Sequence, residues 1–397
     1  MTVPSGSKDS KDSNASNASE YGRIFNVKSI FIAKREETVQ QTWNAIERSG
    51  VILVRGTPCS GKSTLGYLVA KHAREMLKEP YDTVYIPIWR PKNQETAEDF
   101  LRNACTEELV KKQTAREPAQ WRVFFIIDEA QTSYSDTDLW GTHLKACSNN
   151  VTPAKFLLLA CYGSTSKWKA ELADGTPAIL GPHQQIFLRA PSLPRYLQIS
   201  ITFNLPELTD AIHHYRRQHN KRYNLTDTAI ESLLHVSCGH AGLVISLLSV
   251  VFDAHEAHFR ESSIAEISAE AFKDYISNTS ALLVKLRNRV VNRSLIASRD
   301  NEGFPTEHRD IVKRILEQGP VLYDMDDASH RFVYLNGICQ GHMVRVRFSG
   351  SKRYEILKIV ETTPDDVAED EDLTSVGLDI WEGDRTVLVF PTEIHAR

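Results

Sequence analysis

The chain has 397 residues, of which 41% are hydrophobic and 25% charged, with a formal net charge of −4. This is an ordinary soluble globular mixture with room for two or three domains, and it excludes a low-complexity chain and global attraction to polyanions. The six cysteines (Cys59, Cys105, Cys147, Cys161, Cys238, Cys339) form no CxxC pair or Cys/His cluster. Their scatter argues against zinc and against a disulfide framework, and it places the chain in a reducing compartment.

Residues Met1 to Glu20 are rich in Ser, Asn, Asp and Lys and lack an apolar core. They read as a disordered tail over 1–20, and not as a signal peptide. No run is long enough to cross a membrane, so the expected location is intracellular, cytoplasmic or nuclear.

Gly50-Val51-Ile52-Leu53-Val54-Arg55 reads as a buried parallel strand, and Thr64 to Ala70 as a helix with apolar residues at helical spacing. Between them, Gly56-Thr57-Pro58-Cys59-Ser60-Gly61-Lys62-Ser63 has the spacing of a phosphate-binding loop. Its glycines let the backbone curl so that successive N–H groups converge, and the helix start adds partial positive charge. The nucleotide-binding set is therefore Gly56 to Ser63 together with Thr64. Lys62 is placed to reach the β- and γ-phosphates, and the Ser63 hydroxyl to coordinate Mg²⁺. Cys59 reads as a small filler within the loop. A Gly-rich turn without nucleotide is the bland alternative.

Thr83 to Ile88 is a second strand candidate, followed by a charged helical stretch from about Thr96 to Gln113. The run Arg122-Val123-Phe124-Phe125-Ile126-Ile127-Asp128-Glu129 then describes a central strand ending in two acids. Asp128 would hold Mg²⁺ through its water shell, and Glu129 would act as general base on the attacking water. Lys155 to Ala160 reads as the next strand, running into Cys161-Tyr162-Gly163-Ser164-Thr165. Ser164, with Thr165 beside it, is the candidate sensor of the γ-phosphate and joins Lys62 and Glu129 in the catalytic set. A turn-forming Ser/Thr cluster explains the same residues. Leu197 to Phe203 is a further strand candidate that can close the sheet.

From Leu205 the pattern becomes helical, with Leu208, Ile212 and Tyr215 on one face, then Ile230, Leu233 and Leu234, then Leu243, Leu247 and Val250. Between the last two groups lies Ser237-Cys238-Gly239-His240-Ala241-Gly242, whose glycines end one helix and open the next. Farther on, Lys285, Arg287, Arg289, Arg293 and Arg299 form a basic cluster. It reads either as a phosphate-contacting face or as a solvated surface paired with the acidic loop Pro364 to Asp372. A helix over His308 to Gln318 and strands over Arg331–Leu335, Gly341–Phe348, Arg353–Ile359 and Thr386–Phe390 suggest a winged-helix-like module. The expected division is a nucleotide-binding core over 21–204, a helical lid over 205–280 and the α+β module over 281–397.

The loop and the acid pair resemble the P-loop ATPases of the additional-strand class, and within it the AAA+ and signal-transducing (STAND) branch. The resemblance covers roughly Phe31 to Val250. It implies an α/β fold with a parallel sheet of order 5-1-4-3-2 and a helical lid. It implies that the arm Ser29 to Glu37 lines the adenine pocket through Ile32 and Arg35, with Ala33 and Lys34 where a glycine is usual, an ordinary amphipathic helix start being the alternative. It also implies that His240 faces the nucleotide and reports on its phosphates, a C-capping turn being the alternative. Adenine is expected over guanine, since no guanine-reading segment appears. The layout is also similar to the ATPase portion of Crinkler-type fungal and oomycete proteins, with Val389-Phe390-Pro391-Thr392-Glu393-Ile394-His395 at the end. The implied function is that of an ATPase switch using ATP and Mg²⁺, working on an unknown protein client or on itself. A nucleic-acid-binding module with regulatory nucleotide is the alternative, and transfer of the γ-phosphate to a small molecule is a third reading.

Overall fold

A computed structural model describes residues 32–77, 81–112, 122–161, 178–191, 195–259, 266–287, 289, 291, 308–318, 321, 322, 324, 327–335, 340–348 and 381–389. The tail over 1–20, Ser164 and Thr165, Arg293 and Arg299, the strand candidate Arg353–Ile359, the acidic loop and the ending after Val389 lie outside them.

Helix α1 (Glu36–Ser49) turns directly into strand β1 (Val51–Arg55). Gly50 makes that turn possible. Its φ of 70° is left-handed, and a Cβ there would overlap the Cys147 carbonyl oxygen, so both the backbone angle and the space demand glycine. Past β1 come α2 (Lys62–Glu75), β2 (Asp82–Ile86), α3 (Ala97–Lys112) and β3 (Val123–Ile127). A short helix α4 (Leu144–Ser148) leads into β4 (Lys155–Ala160).

The strands pair in parallel in the order β2-β3-β4-β1-β5, which read from the other edge is the expected 5-1-4-3-2. Every residue of β3 and β4 is buried, because helices cover both sheet faces. On one face Ile52, Val54, Phe124, Ile126, Leu157 and Leu159 pack against Trp43 and Ile46 of α1 and Leu65 and Val69 of α2. Their chain neighbours Leu53, Phe125, Ile127, Phe156 and Leu158 face the other way, toward Leu101 of α3, Trp140 and Leu144. This alternation is why unbroken apolar runs, and not period-two patterns, mark the central strands.

The closing strand differs from the one expected. It is β5 (Gln185–Ile186), paired with Leu53 and Val54, whereas Leu197–Phe203 contributes a single bridge from Ser200 to Phe187. The cause is competition for backbone groups: the carbonyls of Ser200, Ile201 and Thr202 all accept from the Arg35 guanidinium, at 3.0 to 3.2 Å.

The helices beyond form a second apolar core. Helix α5 (Leu205–Gln218) opens with a capping box, in which Asn204 accepts from the Glu207 amide and Glu207 from the Asn204 amide. A short strand β6 (Asn224–Leu225) leads into α6 (Asp227–Ser237) and α7 (Ala241–Phe259). Then β7 (Glu266–Ile267) pairs with β6, and α8 (Ala269–Ser277) and α9 (Thr279–Arg287) follow. Leu208, Ile212, Leu233, Leu243, Leu247 and Phe272 are among the buried residues at their centre.

Farther along, α10 (Arg309–Gln318), β8 (Val321–Leu322), α11 (Ala328–Leu335), β9 (Gln340–Phe348) and β10 (Trp381–Val389) form an antiparallel sheet of order β8-β10-β9 with its helices. Arg331–Leu335, expected as a strand, is therefore helical. Asp327 starts that helix by accepting from the amides of Ser329 and His330. No helix among the described residues is long and apolar enough to cross a membrane.

The two glycine environments predict opposite effects of one added methyl group. Gly50→Ala should cost at least about 3 kcal/mol, combining a left-handed backbone with overlap on Cys147. Gly141→Ala, where a Cβ meets nothing within 4 Å, should be neutral or slightly stabilising. Urea unfolding of the two variants checks the contrast.

Candidate functional site

Strand β1 ends at Arg55, and the chain then curls back before α2 begins at Lys62. Cys59 (φ 62°) and Gly61 (φ 95°) are both left-handed, which turns the intervening amides toward one side. The curl is pinned at its start by the Gly56 amide, which donates to the Ala160 carbonyl at 3.2 Å, and across its base by Ser60 donating to the Thr57 carbonyl. Lys62 is only 8% exposed, and its ammonium donates to the carbonyls of Gly56 (2.8 Å) and Thr57 (2.9 Å). It also lies 3.8 Å from the Cys161 sulfur at the end of β4.

One strand beyond β4, the acids at the end of β3 face this loop. Ser63 Oγ donates to Asp128 Oδ2 at 2.6 Å, and Tyr85 Oη donates to the same oxygen at 2.9 Å. The Glu129 amide donates to the other oxygen, Oδ1, at 2.9 Å. Burial, reinforced by the charges of Asp128 and Glu129, holds the Tyr85 phenol above its ordinary pKa, so it remains a donor. Glu129 itself is left-handed (φ 46°) and accepts through Oε2 from the Gln131 amide group. Gln131 in turn accepts from the Cys161 amide at 3.1 Å, tying the second acid to the end of β4.

These groups bound a cavity of about 420 Å³. Its polar end carries Lys62, Ser63, Thr64, Asp128, Glu129 and Cys161; its apolar end carries Ala33, Phe203 and Ile245; Pro58 to Gly61 form the floor between. Arg35 also borders it, with its guanidinium 3.2 Å from Glu207 and over the Phe203 ring, so it braces the arm against the lid. Ile32, the other arm residue of the sequence analysis, is not among the lining residues.

Two expected nucleotide contacts, Gly56 and Thr57, are buried residues of the loop that do not line the cavity, and neither does His240. It is fully buried, with Nε2 3.1 Å from Thr57 Oγ1, while Nδ1 accepts from the Leu243 amide at 3.3 Å and caps α7. An accepting Nδ1 makes the neutral ring the Nε2–H tautomer. Burial first, and then the Lys62 charge, hold its pKa down to about 4. Beside it the Gly242 amide donates to the Cys59 carbonyl at 2.9 Å, and a Cβ on Gly242 would lie 2.7 Å from that oxygen. The start of α7 thus rests directly on the loop.

Tyr85, Gln131, Cys161, Phe203 and Ile245 belong to the site and were not singled out from sequence. The signal that could have found Tyr85 is strand register, since it pairs with Ile126 two residues before Asp128. The donor set suits Mg²⁺, which takes one or two protein oxygens and completes its shell with phosphate and water. Among the described residues no group of three or more His, Cys, Asp or Glu forms a metal cage. Arg289, from the basic cluster, pairs with Asp253 of α7 at 3.0 Å.

No family model and no curated protein matches the chain. Among solved structures it is similar to RuvB, the Holliday junction branch migration motor of Thermotoga maritima, at 16% identity and a TM-score of 0.32, covering 71% of this chain and 76% of that one. It is similar to a Walker-type ATPase of Pyrococcus abyssi at 12% identity and a TM-score of 0.40, over 78% and 86% of the two chains. It is also similar to the Drosophila ORC bound to DNA, at 12% identity and a TM-score of 0.33, over 80% and 78%. At such identities and scores, the functional reading stands on the chain's own geometry.

His240 makes stability depend on pH. Above about pH 6.5 the ring is neutral in both states; below it the unfolded chain takes up a proton that the folded chain refuses until about pH 4. Stability should therefore fall by about 2 kcal/mol from pH 7 to pH 5 through this group. His240→Asn keeps a capping acceptor without the titration and should flatten the slope of urea midpoint against pH in that window.

Proposed function

We propose that the chain is a Mg²⁺-dependent ATPase that works as a nucleotide-controlled switch. The observation that carries this reading is the meeting of Ser63 and Asp128 at 2.6 Å across a curled loop, with Lys62 and Glu129 on either side. In this reading the amides of residues 58–63 bind the triphosphate, and Lys62 offsets charge on its β- and γ-groups. Ser63 and Asp128 would hold Mg²⁺, which when bound would supply positive charge to offset the charge that develops on the phosphates. Glu129 accepts the proton of the water that attacks the γ-phosphorus, the bond to the β-phosphate oxygen breaks, and ADP and inorganic phosphate leave. The apolar slot of Ala33, Phe203 and Ile245 suits a purine face, and adenine is the base proposed.

Support for a switch comes from the lid. Because the Cys59 carbonyl bonds the Gly242 amide and Thr57 touches His240, a ligand that reshapes the loop also acts on the start of α7.

Lys62→Ala should weaken binding of a fluorescent ATP analogue by about 100-fold or more, measured by anisotropy. Glu129→Gln should leave that affinity within a few fold and slow phosphate release by about 100-fold or more. Equal affinity in the wild type and the lysine variant would remove the reading. For the switch, hydrogen exchange at residues 240–243 should change when ATP is added, and identical exchange would leave a plain hydrolase.

A further inference from the structure

Asp128 is held by more than the phosphate loop. Strand β2 is the sheet edge beside β3, and Tyr85 pairs in register with Ile126. Side chains two apart on a strand share a face, so Tyr85, Ile126 and Asp128 lie on the side covered by α2. The tyrosine ring packs against that core, and its hydroxyl ends 2.9 Å from Asp128 Oδ2. This is the oxygen that also takes the Ser63 hydroxyl at 2.6 Å, while Oδ1 is fixed by the Glu129 amide. Three donors therefore fix a carboxylate that is 8% exposed, and one of them comes from outside both nucleotide-binding motifs.

We propose that Tyr85 is a positioning residue for the divalent cation, holding Asp128 so that Ser63 presents its lone pairs to the metal. The inference rests on reading Ser63 and Asp128 as the Mg²⁺ site. Without Tyr85, Oδ2 would be held only by the Ser63 hydroxyl, the same group that has to turn its lone pairs to the metal. With Tyr85 the second oxygen has a defined place, and the Ser63 proton has a fixed acceptor. The hydroxyl lone pairs then point away from Asp128 into the cavity. Partners of this kind, which orient a ligand without touching the metal, are worth about 10- to 100-fold in metal affinity.

The test is a titration of Mg²⁺ against binding of a fluorescent ATP analogue, in the wild type, Tyr85→Phe, Asp128→Asn and the double variant. Tyr85→Phe keeps the ring packing, and its thermal midpoint is measured alongside. It should raise the half-saturating Mg²⁺ concentration by about 10-fold and leave nucleotide affinity in EDTA unchanged. In the Asp128→Asn background the same substitution should add little, because the oxygen it positions no longer carries the charge that attracts the metal. An unchanged Mg²⁺ requirement, an equal loss in EDTA, or fully multiplicative effects in the double variant would overturn the role of Tyr85. Absence of Mg²⁺-dependent binding in the wild type would instead overturn the parent reading of Ser63 and Asp128.

Discussion

The contact between Ser63 and Asp128 joins the helix start that follows β1 to the end of β3, two strands that do not touch. Strand β4 lies between β1 and β3, so the height of Asp128 over the loop is set by two successive registers: Val51 against Phe156, and Phe156 against Phe125. In both, the odd and even residues must keep their faces, because a slip by one would carry Asp128 to the side of α3 and away from α2. The two apolar cores therefore do more than stabilise the sheet. By separating Ile126 from Ile127 and Leu157 from Leu158, they fix which face the acid meets.

Burial then decides how the charged groups are kept. Lys62 and Asp128 are each 8% exposed and lie on the same cavity, yet their hydrogen bonds go to different partners. Lys62 spends its donors on two loop carbonyls, and Asp128 accepts from two hydroxyls and an amide. Each charge thus has hydrogen-bond partners without being neutralised by the other, which leaves both able to act on a third, charged body between them. The neutral ring of His240 fits the same logic, since a second buried cation behind Lys62 would raise the cost of burying the first.

Those parts of the site built from contiguous residues were legible in the sequence. The curl from Gly56 to Ser63 and the apolar run into Asp128 each carry their geometry in local spacing. What failed depended on partners remote in the chain. Leu197–Phe203 has the composition of a strand, but Arg35, 165 to 167 residues upstream of its bonded carbonyls, takes the groups a ladder would need. Arg331–Leu335 reads as strand by its β-branched and aromatic residues, until the Asp327 cap commits the segment to a helix. Tyr85 looks like an ordinary strand residue, and only register brings it to Asp128, while Gln131 lies two residues from Glu129 but takes its second bond from the remote Cys161 amide.

The backbone shows how far the site depends on such remote contacts. Among the described residues, seven non-glycine residues adopt positive φ: Arg35, Cys59, Gln94, Glu129, Asn150, Asn220 and Cys238. The two asparagines belong to a type that tolerates this region, and Gln94 lies away from the cavity, which leaves Arg35, Cys59, Glu129 and Cys238, of types that do not favour it. Of those four, Arg35, Cys59 and Glu129 border the cavity, and Cys238 sits at the junction where α6 gives way to α7. Such conformations cost about 1–3 kcal/mol each and persist only where the surroundings impose them. The arm, the loop, the second acid and the lid junction are thus all held against local preference by tertiary contacts. In the switch proposed above, a phosphate-bearing ligand would meet Arg35, Cys59 and Glu129 on the cavity wall, and would reach the junction at Cys238 only through the hydrogen bond from the Gly242 amide to the Cys59 carbonyl.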